Sequence, residues 1–453
     1  MRISTSMLYA KGVNSMQQQW SQLLHTQQQV ATGRRVLTPS DDPIASARAL
    51  EVGQSQSVNQ QFLANQGHAN DAMRLVETQL TNVNDILQYA RERAVEAGNG
   101  ALSGTELSFL AEDMKSQFNA LLALANSQDG NGDYIFGGYR AQTQPYTGDL
   151  AGVTYQGDQG ERTVQVSASR YMPVSLPGSA VFDRTLTLDS TVTSVVGNGH
   201  NTGSETPSVT AVDPTAVRPG TRYQIRYSQP DPAIPGTYTV SRLGQDGEPV
   251  AWTSAELEAM WPPAGTPPAG YAVSADNRSI DFTPSGLPPY APLELDGLTI
   301  GLPDDPMPDP LDVPQDARTV KDEVGDGDRF EIFVPSTNLL ENVAMVAAAL
   351  DSPGASGAAG VVAFALTTLD AGHENILKVR AQLGSQMGEV EQLQSLGSDL
   401  DGHYAEIITG LVGLDSEGYA AAISQLTQQQ MFLQAAQQSY MRISGLSLFN
   451  YMG

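Results

Sequence analysis

Apolar residues recur every seven positions along the last hundred residues. Leu369, Ile376, Leu383, Val390, Tyr404 and Leu411 occupy one heptad position, and Val379, Leu393, Leu400, Ile407 and Leu414 its companion. Eleven of the 14 sites from Leu369 to Leu414 are apolar, the exceptions being Gly372, Gln386 and Gly397. No proline falls between Gly354 and Gly453. The pattern predicts one long helix with partner helices along its seam, because a narrow apolar stripe gains too little from propensity alone. At about 1.5 Å per residue such a helix would be a rod of roughly 70 Å.

The first third of the chain carries a matching pattern. Met73, Val76, Leu80, Val83, Leu87, Ala90 and Ala94 alternate threes and fours without a break. Asp42 followed by Pro43 suits an N-cap and first helical position, so this long helix is expected to begin there. After a turn at Gly98-Asn99-Gly100, Ser103 and Glu106 have capping-box spacing, and Leu107, Leu110, Met114, Phe118 and Leu121 follow on one face of a third helix.

The two ends differ from these stripes in having no charge. From Gly12 to Gly33 there is no Asp, Glu, Lys or Arg, while Tyr9, Val13, Met16, Trp20, Leu23 and Val30 keep three/four spacing. From Gly418 to Met441 the absence recurs, with Tyr419, Ile423, Leu426, Leu433 and Tyr440 on the stripe and glutamines between them. A water-exposed helix normally carries charges for solubility and i,i+4 support. Two uncharged, glutamine-rich helices therefore point to outer faces covered by neighbouring copies. They also point to ends that are poorly ordered in an isolated monomer and become helical on assembly.

Between these regions the chain changes character, since 20 of its 27 prolines lie from Pro207 to Pro314. The runs Tyr223–Tyr227, Thr237–Val240 and Ser279–Phe282, bounded by Gly, Pro and Asp, read as strands of an antiparallel β sandwich or barrel. Strands are also expected at Tyr134–Phe136 and at Val153–Tyr155, the latter in a hairpin with Arg162–Val166 across Gly157–Gly160. The fold class that follows is mainly α, an elongated antiparallel helical rod formed by the N- and C-terminal regions, with an inserted β domain. The expected division is a terminal assembly domain at 1–40 and 415–453, a helical rod at 41–185 and 330–414, and a proline-rich insert at 186–329.

Composition narrows the function. A formal charge of −26 opposes binding to nucleic acid or anionic membrane. Residues 1–40 nevertheless hold Arg2, Lys11, Arg34 and Arg35 with no acid, so the acidity belongs to the middle. The absence of cysteine rules out disulfides, thiol nucleophiles and thiolate metal sites. No stretch reaches the roughly 20 apolar residues of a membrane span, and the N-terminus lacks the apolar core of a cleaved signal peptide.

Candidate chemical sites are weak. Asp129-Gly130-Asn131-Gly132-Asp133 begins like a calcium loop, but Tyr134 and Arg140 stand where glycine and glutamate are required, so a turn is expected. His25, His68, His200, His373 and His403 have no ligand spacing among them. Gly325-Asp326-Gly327-Asp328 reads as an exposed turn before Phe330–Val334, and the acids from Asp304 to Asp328 as a solvated linker. Gly33-Arg34-Arg35 is too short a basic patch for nucleic acid. No catalytic constellation, metal site or cofactor site can be assembled, and the chain reads as a non-enzyme.

Four segments resemble the flagellin superfamily, and within it the branch at the hook–filament junction. They are the opening Met1–Thr5, the run Thr32–Ala45 (TGRRVLTPSDDPIA), the junction Asp129–Tyr139 (DGNGDYIFGGY), and Val379–Gly384 together with the closing Gly445–Phe449. The resemblance covers roughly residues 1–180 and 330–453. It implies a secreted structural protein of the extracellular flagellum, exported unfolded through the flagellar type III apparatus with a cytoplasmic chaperone and without a cleaved signal. It further implies assembly with copies of itself as a thin ring between hook-associated protein 1 and the flagellin filament. Under that reading Tyr9, Val13, Met16, Trp20, Leu23, Tyr419, Ile423, Leu426 and Leu433 are assigned to packing between subunits, and the two heptad stripes to the rod seam. The rival readings are a bulk filament subunit, a coiled-coil adhesin whose insert binds a host ligand, and a glycan-acting enzyme within the insert.

Overall fold

The computed structural model describes residues 5–184, 194–197, 207–211, 217–229, 236–244, 247–261, 267–283, 292–301, 327–351 and 358–449. Met1–Ser4, the side chain of Tyr9, His200, the acids from Asp304 to Asp326, and the side chains of Gly445–Phe449 lie outside this set. The fold is mainly α with an inserted antiparallel β domain, and it divides into two compact units. A terminal unit comprises 1–68, 165–171 and 389–453, and a central unit comprises 69–164 and 172–388.

Helices α2 (Pro43–Ala97) and α7 (Ala358–Val412) contribute to both units and run antiparallel in each. In the terminal unit they are joined by α1 (Thr5–Thr32) and α8 (Ser416–Phe449). There the Asn59 amide donates to the Gly397 carbonyl at 2.7 Å and the Gln60 amide to the Asp401 carboxylate at 3.0 Å. A Cβ on Gly397 would lie 2.8 Å from Leu63 Cδ2, so this break in the heptad is what allows α2 to approach α7 closely.

In the central unit Arg380 on α7 donates twice to Glu77 on α2, at 2.9 and 2.6 Å. The seam residues Met73, Val76, Leu80, Val83 and Leu87 are buried, as are Leu369, Ile376 and Leu383. Helix α3 (Gly104–Ala125) opens on the expected capping box of Ser103 and Glu106 and buries Leu107, Met114, Phe118 and Leu121. It packs on α6 (Leu339–Asp351), which is apolar nearly all round and correspondingly buried. Leu339 of α6 also explains the second heptad exception, because a Cβ on Gly372 would collide with its Cδ1.

The β part of the central unit holds two antiparallel sheets over one core. In chain order its strands are β5 (Ser194–Gly197), β6 (Ser208–Ala211), β7 (Arg222–Ser228), β8 (Thr237–Leu243), β9 (Tyr271–Val273), β10 (Ile280–Phe282), β11 (Leu293–Leu295), β12 (Leu298–Gly301) and β13 (Arg329–Phe333). One sheet has the order β5-β13-β7-β8-β10-β9, the other β11-β12-β6. The inner faces supply Tyr223, Ile225, Val240, Ile280, Leu298 and Ile332, with Trp252 between them. Of the two expected arrangements this is the sandwich. Within it Asp296 accepts from the Tyr223 hydroxyl at 2.7 Å and the Trp252 indole at 3.3 Å. Glu256 closes the capping box of the short helix α5 (Ser254–Met260). Burial pushes its carboxyl up, but the Thr253 amide and the Arg242 and Arg218 guanidiniums more than offset this and hold it at about 2.

Three local expectations are corrected. Tyr134–Phe136 is no strand: it makes only an isolated bridge from Tyr134 to Gln128. The Asp129 carboxylate gathers the Asn131 and Asp133 amides at 2.8 and 3.0 Å, and Gly138 at φ +68 turns the chain away before a ladder can form. Val153–Tyr155 is a strand, β2 (Gly152–Tyr155), but its partner is β1 (Tyr146–Asp149). Gly148 and Gly152 permit that tight hairpin, whereas β3 (Thr163–Ser167) closes on β4 (Arg170–Pro173), and Gly157–Gly160 is a loop pinned by Asp158 to the Tyr139 amide. Finally Leu414 is not on the seam helix. Its N–H donates to the Gly33 carbonyl at 2.8 Å, beyond the end of α7.

Candidate assembly surface

In the terminal unit α1 and α8 pack against each other, with Gly12 of α1 lying against the Tyr440 ring. The three/four spacing that makes each helix amphipathic divides its apolar residues between two faces. Leu23 and Thr26 are buried on α1, and Ala422 and Leu433 on α8, with Met16 and Leu426 half-buried in the same seam. One position round each helix, Val13, Trp20, Tyr419 and Ile423 are exposed, Trp20 by 51%. Leu24, Met431 and Phe432 extend these outer faces. Of the residues singled out in the sequence, then, Met16, Leu23, Leu426 and Leu433 lie where α1 meets α8 of the same chain. Val13, Trp20, Tyr419 and Ile423 lie on open faces.

The run Thr32–Ala45 folds into a clasp at the base of these helices. Gly33, at φ +65, ends α1, and Arg34 bridges Gly413 between α7 and α8. The Arg35 and Val36 amides both donate to the Val412 carbonyl, and the Arg35 guanidinium donates to the Leu411 carbonyl at 2.9 Å and the Asp42 carboxylate at 3.1 Å. A cation therefore meets the free carbonyls at the C-terminus of α7. Asp42 caps α2 through the Ala45 amide at 3.0 Å, and that amide, with Arg35, holds its carboxyl below the ordinary range. Asp41 accepts from the Leu37 and Thr38 amides and meets His25 of α1 at 3.1 Å; the Thr38 amide is foremost in holding its carboxyl low. Beneath lies a small core of Val36, Ala45 and Val412.

The seam residues of α7 open out in this unit. Val390 is buried, Leu393, Tyr404, Ile407 and Leu411 are half-buried, and Leu400 is exposed; in the central unit Val379 is also half-buried. Beside Leu400 runs a groove of about 410 Å³ between α2 and α7, lined by Phe62 and Gln66 and by Val166–Ala168 of the β3–β4 hairpin. Sequence reasoning missed this groove and the clasp. Leu396, off the heptad but apolar, was the available signal for the first. For the second it was Arg35, a cation preceding a helix start by the length of one turn region.

Residues 3–141 match the model of the bacterial flagellin N-terminal helical region. Over 186 residues the chain is 39% identical to flagellar hook-associated protein 3 of Salmonella typhimurium and 38% identical to that of Escherichia coli. Each match covers 40% of this chain and 57% of the relative, so the chain spans little more than half the length of the curated relatives it matches. Among solved structures, hook-associated protein 3 of Legionella pneumophila aligns at a TM-score of 0.48 and 22% identity, covering 80% of this chain and 98% of that one. The FlgL protein of Xanthomonas campestris aligns at 0.48 and 17%, covering 79% and 99%. Among the described residues, no His, Asp and Glu side chains cluster to hold a metal ion, and no helix is long and apolar enough to cross a membrane.

Proposed function

We propose that this protein is a structural component of the bacterial flagellum, an adaptor at the hook–filament junction on which flagellin polymerises, without catalysis or a cofactor. The observation that carries this reading is Trp20, half exposed on the uncharged stretch of α1 within the residues that match the flagellin N-terminal model, with Val13 and Leu24 beside it. The outer faces of α1 and α8 pack against neighbouring copies in a ring, and the faces that meet within the chain hold the two helices together first. Similarity to flagellar hook-associated protein 3 supports that place in the flagellum. The partners are then sister copies, hook-associated protein 1 on one side, flagellin on the other, and a cytoplasmic chaperone before export to the cell exterior. The terminal helices form the assembly domain, the α2/α7 seam the rod, and the β sandwich an outer domain.

Burying a large apolar side chain contributes about 1.5 to 3 kcal/mol, and ordering a helix costs a comparable total, so incorporation depends on a template. Trp20→Ala is expected to leave the monomer's unfolding temperature and export unchanged and to abolish incorporation, read by immunogold labelling of purified flagella. Wild-type protein should label a single band at the filament base. Normal filaments from the variant, or label along the whole filament, would refute the assignment.

A further inference from the structure

The groove in the terminal unit has no occupant from its own chain, although its walls are apolar. Val58 of α2 is 41% exposed, and Leu396 and Leu400 of α7 are 56% and 37% exposed. Helix α1 contributes nothing to it. In its lining the buried Gln66 donates to the Val166 carbonyl at 2.7 Å, while its own carbonyl oxygen has no partner. Such an acceptor costs stability unless a donor arrives.

Charge selects the occupant. From Arg380 to Arg442 the chain carries seven Asp and Glu and no Lys or Arg between those two arginines, and of these Asp399 and Glu406 are exposed and neighbour the lining residues Leu400 and Tyr404 in sequence. Two such grooves cannot face each other, being both concave and both acidic, so a contact between copies here joins unlike surfaces. The occupant must be convex, apolar and free of acid. Helix α8 opens on Glu417 and carries no base before Arg442, so it brings no positive charge to an acidic groove, whereas α1 carries Lys11. The outer face of α1 meets all three requirements: residues 1–40 contain no acid, and Val13, Trp20 and Leu24 form the i, i+7, i+11 ridge that a groove between two helices accepts. Gln17 lies on that ridge between Val13 and Trp20 and offers amide donors to the groove lining.

We propose that the α2/α7 groove of one copy receives the outer face of α1 from the next copy, with Trp20 as the anchor. This rests on the assembly reading above and names the surface that α1 finds. The chain has no cysteine, so Gln17→Cys combined with Leu396→Cys can be tested without background and with the Trp20 anchor left in place. In purified flagella, mild oxidation is expected to give disulfide-linked oligomers that require both substitutions. If Gln17→Cys links instead to Ile423→Cys and never to Leu396→Cys, α1 lies among terminal helices and the groove proposal fails while the assembly reading stands. Should Gln17→Cys itself prevent incorporation, Leu396→Asp decides: incorporation is expected to fall at least tenfold with an unchanged monomer unfolding temperature, and wild-type incorporation would overturn the proposal. Loss of incorporation in Leu396→Asp without any Gln17–Leu396 link, in flagella that do contain the double variant, would assign the groove to another occupant and equally overturn it.

Discussion

Asp183 shows how one side chain can set a pH dependence. It follows α4 (Gly178–Phe182) in the central unit and accepts from the Tyr146 hydroxyl at 3.1 Å and the Asn338 amide at 2.7 Å. Burial foremost, with the Glu341 carboxylate adding to it, pushes its carboxyl up to about 6, although both hydrogen bonds pull the other way. Because the folded value lies above the ordinary one, the native state holds this proton where the unfolded chain has released it. The associated stability is full below about pH 4 and is lost as pH rises through about 6. Asp183→Asn keeps an accepting oxygen and removes the charge. It is expected to be more stable than the parent by about 1 to 3 kcal/mol at pH 7.5 and equal to it below pH 4, measured by urea unfolding across pH. A constant difference at all pH values would contradict this account.

At the scale of elements, the glycines of α7 separate propensity from packing. A Cβ on Gly384 would meet nothing within 4 Å, so Gly384→Ala is expected to stabilise by about 0.5 to 1 kcal/mol through helix propensity. Gly372→Ala should lose that gain, because its Cβ collides with Leu339, which is fully buried in α6 and cannot step aside. Thermal unfolding of the two variants side by side tests this; equal stabilisation would remove the packing role of Gly372. The long helices, the capping box at Ser103 and the strands around Tyr223, Thr237 and Ile280 were legible because each has a local signal of period or cap. Strand pairing was less so. Val153–Tyr155 was readable as a strand, but its partner depended on the glycine turn at Gly148–Gly152 rather than on the strand's own residues. Likewise Gly372 and Gly397 looked like breaks in a seam when each is a point of close approach, which only the facing residue discloses.

For the whole molecule the terminal helices are held by few buried side chains. The described part of α1 buries only Leu23 and Thr26, and α8 only Ala422 and Leu433. Hydrogen exchange of the dilute monomer is expected to show rapid exchange for α1 and α8 and strong protection for the Met73–Leu87 and Leu369–Leu383 stretches. In assembled flagella the terminal amides should become protected. Slow exchange at both ends of the monomer would show that α1 and α8 need no neighbours. The candidate site was legible as far as its composition went: uncharged, apolar, three/four-spaced ends. Which residue of each stripe turns inward was not, since Leu23 and Trp20 carry the same sequence signal and differ only in where the partner helix lies.

The clasp bears on the order of events in time. It joins residue 34 to residue 413, so the contact that locks the base of the terminal helices spans most of the polypeptide. Closing so long a loop is slow compared with local helix formation, and a chain delivered one end first cannot make it until nearly all of the chain has emerged. Whichever end leads, this corner closes only late, ahead of the α1–α8 pairing beyond it, and a truncated or stalled molecule has no means of presenting the finished pair of ends.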